Sequence, residues 1–451
     1  MNAQIHTPER PPLHVLIIYA VGQMGWAIAG AGVTNMLEYF YFPPETANGH
    51  ALFPSFVFQG AVLGIMTLIG LIGASGRFVD AFVDPVVAYW SDKLTFSWGK
   101  RKVFMAFAAI PAALFTFLMY LPPVGHESSL NTVWLVVMVM LMYISWTCYV
   151  VPYTALISEL GHTDKEQVTI SMLISVAYAF GLMLMAQVQR FQTMFEARGY
   201  SATEAFQWSI GCIMIVSAVC MLVPVFFLDE KRYCKVSDEM PPFWEAWKRV
   251  WDNTNFKWFA ISDFFYWFAL NFIQKGIQYY LPVLLLLPKE AGSDFMIKVG
   301  LLSFVCYLPI SWLALKWSKK RMISISFVLL SICFAGTAVL GKVPFSADAQ
   351  VWALVLLAMV PIAAFGILQN VIVADIVKEQ FAHTGVAQAG MFFAVRAMMM
   401  KFGVSASTLV FPSLLLLGKS TENDTGVRLT GIVACVFCLV GLWVFQHYKE
   451  K

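Results

Sequence analysis

The chain has 451 residues, of which 59% are hydrophobic, 15% aromatic and 13% charged, with a mean hydropathy of +0.70. Charged residues make up about a quarter of a soluble domain, so this composition excludes an ordinary soluble protein and indicates a polytopic membrane protein. A formal net charge of +3 is too small to argue for a nucleic-acid partner, and the basic residues gather in or beside loops between apolar spans, where membrane topology explains them.

The N-terminal segment MNAQIHTPERPP precedes a long apolar run from Leu13 with no small-residue cleavage site, and is read as leading into a retained first span. A span needs about 20 apolar residues. Six are expected near 13–41, 55–91, 103–122, 131–158, 168–189 and 207–228, and six more near 258–287, 296–316, 321–341, 350–377, 386–417 and 427–447. The expected class is therefore an all-α polytopic membrane protein of twelve transmembrane helices in two six-helix bundles, 1–228 and 258–451, joined by a cytoplasmic linker, 229–257. In the linker, Phe243, Trp244, Trp247, Val250 and Trp251 form an apolar stripe at helical spacing, which predicts a short helix lying in the membrane interface. Of the eight cysteines only Cys234 lies in a polar loop, and their spacing is neither a disulfide framework nor a metal site.

Lys and Arg concentrate in the loops that follow even-numbered spans. Lys93, Lys100, Arg101 and Lys102 follow the second span, and Lys316, Lys319, Lys320 and Arg321 follow the eighth. Those loops are expected to be cytoplasmic, with both termini inside. The two basic clusters occupy equivalent places in the two halves, which fits two six-helix repeats around a central site.

The second span carries the strongest signal. Arg77, Asp80 and Asp84 are spaced i, i+3 and i+7 in an apolar helix, within about 60° of one another on one face. Taking Asp92 as the cytoplasmic end of the helix, Asp84 lies roughly 12 Å and Asp80 roughly 18 Å inside it, at about 1.5 Å per residue. An ionisable group at that depth costs about 2.5–3.5 kcal/mol on insertion scales. Two acids one turn apart suit a site that takes a proton or coordinates Na⁺; the bland alternative is that Arg77 neutralises one acid and the trio only pins helices.

In the C-terminal half, Lys401 is an intramembrane cation expected to act as counter-ion to the two acids. Lys275 and Arg396 add positive charge that would suit an anionic or strongly polar solute, or else snorkel or pair with Glu38 or Asp375. Gln23, Asn35, Tyr149, Asn271, Gln274 and Gln369 are polar groups in apolar spans that could bond a polar solute, and Trp26, Tyr153 and Trp267 could stack on a ring of it; interhelical hydrogen bonds or lipid-facing packing are the alternative for each. Asp92 and Asp375, at cytoplasmic helix ends, read as gate residues. A nucleophile–base constellation, an HExxH motif and a phosphate-cradling loop are all missing from the sequence, which argues against a membrane enzyme or an ATP-driven pump.

These residues also carry a resemblance. Arg77, Asp80, Asp84-Pro85 and Trp98-Gly99-Lys100 resemble the second-helix signature of the glycoside-pentoside-hexuronide:cation symporters, a branch of the major facilitator superfamily that includes the melibiose carrier. The stretch from Pro152-Tyr153-Thr154 to Glu159-Leu160 resembles the end of the family's fourth helix, Gln369 to Val377 its tenth, Met399-Met400-Lys401-Phe402-Gly403 its eleventh, and Tyr39-Phe40-Tyr41 the end of its first. The resemblance implies the major facilitator fold and cation-coupled symport of a sugar or glycoside by alternating access. It implies a cation site of Asp80, Asp84 and Thr147, with Lys401 in the same cavity. Val83 stands where the melibiose carrier has an Asn in that site, Val150 replaces an Asp, Trp26 or Ala27 falls at the first-helix Asp, and Ile174 at the fifth-helix Arg.

A monomer in the plasma membrane (the inner membrane in a bacterium) is expected, in contact with lipid and a small-molecule solute. No cofactor or resident metal is expected, only a coupling ion, Na⁺ or H⁺, with a slight lean to Na⁺. The alternatives are a symporter of a lysophospholipid or other amphipathic or anionic solute and, from a different class, a non-transporting membrane sensor.

Overall fold

In the computed structural model of the chain, the structure describes residues 9–44, 51–62, 66–93, 99–234, 248, 250–384 and 389–450. Among them, twelve helices are 19 residues or longer. In order these are α1 (Leu13–Tyr41), α2 (Leu68–Lys93), α3 (Lys100–Leu118), α4 (Ser129–Leu160), α5 (Asp164–Met185) and α7 (Ala202–Phe227), then α9 (Thr254–Tyr279), α10 (Ala291–Trp317), α11 (Lys319–Thr337), α12 (Ala347–Thr384), α13 (Ala389–Leu415) and α14 (Thr425–Gln446). Two shorter helices, α6 (Val188–Glu196) and α8 (Glu230–Tyr233), flank α7, and a π-helical turn at Tyr280–Leu284 continues α9. Nine segments of the described residues are helical, long and apolar enough to cross a membrane, so the chain is a multi-pass membrane protein.

Two expected spans are corrected. Hydropathy predicts the second at 55–91, but residues 52–60 form bends and irregular chain, and Ala61–Val62 (β1) pairs antiparallel with Met66–Thr67 (β2) before α2 begins at Leu68. Apolarity alone did not separate this hairpin from the helix that follows it. The fifth, placed at 168–189, starts at Asp164 on a capping box in which Thr163 and Glu166 satisfy each other's backbone amides, and it breaks at Ala186 before α6. The linker residues Phe243, Trp244 and Trp247 lie outside the described residues; Val250 is buried in an apolar core.

The chain forms two compact units. One comprises Met1–Leu37, Pro54–Phe58 and Ser75–Glu239, the other Glu38–Phe53, Gln59–Ala74 and Met240–Lys451. In the first, α3 packs against α4 and α7, and α6 against α7. In the second, α9 packs against α13 and α14, α11 against α12 and α14, and α10 against α12. The last turn of α1 and the first turns of α2 belong to the second unit, so each of these helices is shared between the two.

The two basic loops are the same device twice. Gly99, before α3, has φ 109° and ψ 146°; Ser318, before α11, has φ 111° and ψ 145°. Each helix then begins on basic residues whose amides are capped by a distant carboxylate. Glu230 accepts from the amides of Lys100, Arg101 and Lys102 at 2.9–3.2 Å. Glu450 accepts from those of Lys319 and Lys320, both at 2.9 Å. The third amide of α11, from Arg321, goes instead to the Ser318 hydroxyl at 3.2 Å. Gly99 has no such group, and Glu230 takes the third amide. Free N–H groups and the helix dipole both favour an anion at this end.

A Cβ at Gly99 would run into the Glu230 carboxylate. Gly99→Ala should therefore displace the cap and cost about 1–3 kcal/mol, read as a lower unfolding temperature in detergent. An unchanged temperature would show that the cap contributes nothing.

Candidate functional site

On α2 the charged face forms as its spacing predicts. Asp80 is fully buried, and the hydroxyl of Thr147, also fully buried on α4, donates to its Oδ1. Asp84 is half-buried one turn further on. The close approach of α2 to α4 depends on Gly76, where a Cβ would collide with the Tyr143 ring. Arg77 donates from Nη2 to the Thr34 hydroxyl at 2.8 Å, and its guanidinium lies 5.2 Å from the Tyr143 ring centre and 5.4 Å from that of Trp146. Two aromatic faces and a hydroxyl thus hold the Arg77 cation. The arrangement offers carboxylate and hydroxyl oxygens from neighbouring helices in an apolar setting, the donor chemistry that suits a hard cation or a proton.

The remaining candidates divide into side chains engaged in packing and side chains with idle polar atoms. Tyr19 and Tyr153 stack at 4.3 Å and exchange hydroxyl-to-carbonyl hydrogen bonds, 2.7 Å from Tyr19 and 2.8 Å from Tyr153. Tyr149 donates to the Met221 carbonyl at 2.8 Å. With all three rings fully buried, this geometry supports an interhelical role for Tyr149 and Tyr153 rather than contact with solute. By contrast, the Trp26 Nε1–H donates no hydrogen bond, and Asn35 Oδ1 and Asn271 Oδ1 accept none, among the described residues, though all three atoms are buried. Buried polar atoms are usually paired, so each of these has hydrogen-bonding capacity to spare. Trp26 packs its ring against Trp146 and Tyr178. Gln23 is buried and Gln274 half-buried.

In the second unit the structure shows a carboxylate that the sequence reading passed over. Asp263, on α9, is fully buried and accepts from the Gln369 amide on α12 and from Arg396 Nε on α13 at 3.3 Å. Arg396 closes the ring by donating to Gln369 Oε1, and also reaches Asn370 Oδ1. The signal was present in the run FAISDFFYWF, an acid inside an apolar span, the same feature that marked Asp80. Lys275 is buried against Glu38 and also donates to the Thr408 hydroxyl at 3.0 Å. Arg396 therefore bonds Asp263 rather than Asp375, whose carboxylate receives Lys319. Lys401 is half-buried on α13.

Of the two expected gate residues, Asp375 pairs with Lys319 at the start of α11, whereas the Asp92 side chain lies outside the described residues. Beside Asp92, Arg101 is buried, donating to Glu159 Oε1 at 2.9 and 3.2 Å and to Ser91 Oγ at 2.6 Å, which ties the ends of α2, α3 and α4 together. Burial, with Glu159 and Glu230 nearby, pushes the Cys234 thiol in the following loop well above its ordinary range, so it stays protonated.

These helices and this intramembrane acid are those of a major facilitator transporter. The chain matches the model of the MFS/sugar transport protein family over residues 18–449 and belongs to that family. It is 21% identical over 276 residues to an isoprimeverose transporter of Lactiplantibacillus pentosus, covering 60% of this chain and 57% of that one. It is 22% identical over 269 residues to the inner membrane symporter YicJ of Escherichia coli, covering 57% and 56%. The match thus spans little more than half the length of these relatives. Solved structures share the fold: the nucleoside transporter NupG at TM-score 0.67, 13% identity and 97% and 99% coverage, and a D-xylose-proton symporter at 0.66, 13%, 97% and 98%.

Proposed function

We propose that the chain is a cation-coupled symporter of an uncharged sugar or glycoside, working by alternating access rather than by catalysis. The observation that carries this reading is the fully buried Asp80 carboxylate with the Thr147 hydroxyl on it, one turn from Asp84. It is a site whose charge changes on taking a cation, so occupancy biases which conformation is stable. Family membership and the relatives' names, a transporter of isoprimeverose and a symporter, support the solute class and the coupling.

The charge balance of the second unit supports an uncharged solute. Lys275 and Arg396, the two cations that would suit an anion, are offset by Glu38 and Asp263. An anion entering there would have to displace a buried carboxylate. Asn35 and Trp26 in the first unit, and Asn271 in the second, have idle polar atoms and are each candidates to contact solute, and Lys401 on α13 is a candidate coupling residue. The coupling ion is Na⁺ or a proton. Even-numbered loops and both termini face the cytoplasm, in a monomer in the plasma membrane, with Asp375 and Asp92 at the cytoplasmic gate.

The test is uptake by the full chain in proteoliposomes, with a panel of pentosides, hexosides, nucleosides and lysophospholipids under imposed Na⁺ or H⁺ gradients. Accumulation of one glycoside above equilibrium under one gradient is expected. Accumulation of lysophospholipid alone, or binding without counterflow, would overturn the reading in favour of a lipid symporter or a sensor.

A further inference from the structure

The Glu38–Lys275 ion pair has a property that its packing does not need. Both side chains are only 1% exposed. Glu38 lies in the last turn of α1 and Lys275 near the end of α9, and Lys275 makes a second bond to Thr408 on α13. The other Glu38 oxygen, Oε2, takes no hydrogen bond among the described residues.

The same region is fastened by uncharged contacts. Tyr279 donates its hydroxyl to the Phe42 carbonyl at 2.8 Å, and Gln59 its amide to the Tyr41 carbonyl at 3.2 Å. Lys419 bonds Gln59 at 3.0 Å and lies 3.9 Å from the Phe42 ring centre. Gly70 packs against the Leu409 carbonyl and Pro412. All of these residues belong to the second unit, although α1 before Glu38 and α2 after Ala74 belong to the first.

A buried ion pair is weak as a stabiliser, because desolvation offsets the attraction, but removing one of its charges is costly. One proton on the Glu38 carboxylate makes it a neutral acid and removes the charge that offsets the buried Lys275 ammonium within the pair. Among the described residues, the titratable groups that face Glu38 are Lys275 and Tyr279, both from α9. No second acid is among them to take over from Glu38.

We propose that Glu38 and Lys275 form a proton-binding latch, separate from Asp80 and Thr147, which holds the last turn of α1 to α9 and α13 until Glu38 is protonated. The latch depends on the transport reading only for the side it faces, the outside, and for its use in solute entry.

Ala74, 5% exposed in the first turns of α2, reports on opening. An Ala74→Cys protein in proteoliposomes is treated from outside with a membrane-impermeant maleimide between about pH 5.5 and about pH 8, a range that spans about two and a half decades of proton concentration. Labelling is counted against the same protein without the added cysteine. With each rate divided by that of a free thiol at the same pH, which corrects for the thiolate that attacks maleimide, labelling should speed up severalfold as pH falls. With Glu38→Gln added it should be fast at every pH, and with Glu38→Met and Lys275→Met together slow at every pH. A pH-independent rate in the parent would overturn the latch, as would a pH response that survives in the double Met protein. The second comparison holds even if Glu38→Gln fails to fold. The readout needs no solute, so pH-gated labelling without uptake of any sugar would contradict the symporter and leave the latch standing.

Discussion

Asp263→Ala should lower the stability of the purified protein by about 3 kcal/mol, the low end of what breaking a buried pair costs. The acid is fully buried and receives Gln369 and Arg396, so its removal strands two donors at once. Arg396 keeps 14% of its side chain exposed, which softens the loss by letting water reach the guanidinium. Replacing all three members of the ring, Asp263→Leu, Arg396→Met and Gln369→Met, should recover most of the stability, because an apolar cluster of similar volume incurs no desolvation cost and strands no polar group. Thermal unfolding in detergent distinguishes the cases. If the single Ala variant unfolds like the parent, the ring does not hold α9, α12 and α13 together.

Asp80→Asn should abolish concentrative uptake while sparing expression. The amide keeps the side-chain volume and an acceptor for Thr147, and loses only the charge that a cation or proton answers. Thr147→Val is milder: losing one hydrogen-bonding oxygen should cost about 1 kcal/mol in ion affinity, a change of several-fold in the ion concentration that half-activates uptake. The two variants together separate the charge from the hydroxyl. If Asp80→Asn still concentrates solute, the buried acid is structural.

The sequence made some of this legible and hid the rest for physical reasons. The charged face of α2 was readable because helical spacing and the cost of an intramembrane ion are both local properties, and the structure places Thr147 of α4 against Asp80. Asp263 had the same local signature and was passed over because its neighbours match no motif. The Glu230 and Glu450 caps join residues more than 120 positions apart, and their repetition in the two halves shows in backbone angles rather than in residue identity, since Gly99 answers to Ser318. For Tyr149 and Tyr153 the sequence leaves solute contact and interhelical hydrogen bonds both open; the structure pairs their hydroxyls with backbone carbonyls, which no sequence pattern marks. The sharing of α1 and α2 between the two units was equally hidden, because hydropathy reports that a helix crosses an apolar layer and not which neighbours bury it.

The coupling site on α2 is tested most directly by one comparison in proteoliposomes, parent against Asp84→Asn, with the transported solute followed under an imposed Na⁺ or H⁺ gradient and, in parallel, in gradient-free exchange. The parent should accumulate solute above equilibrium under one of the two gradients. The variant should exchange solute without accumulating it. Accumulation by Asp84→Asn to the level of the parent would contradict coupling at this site.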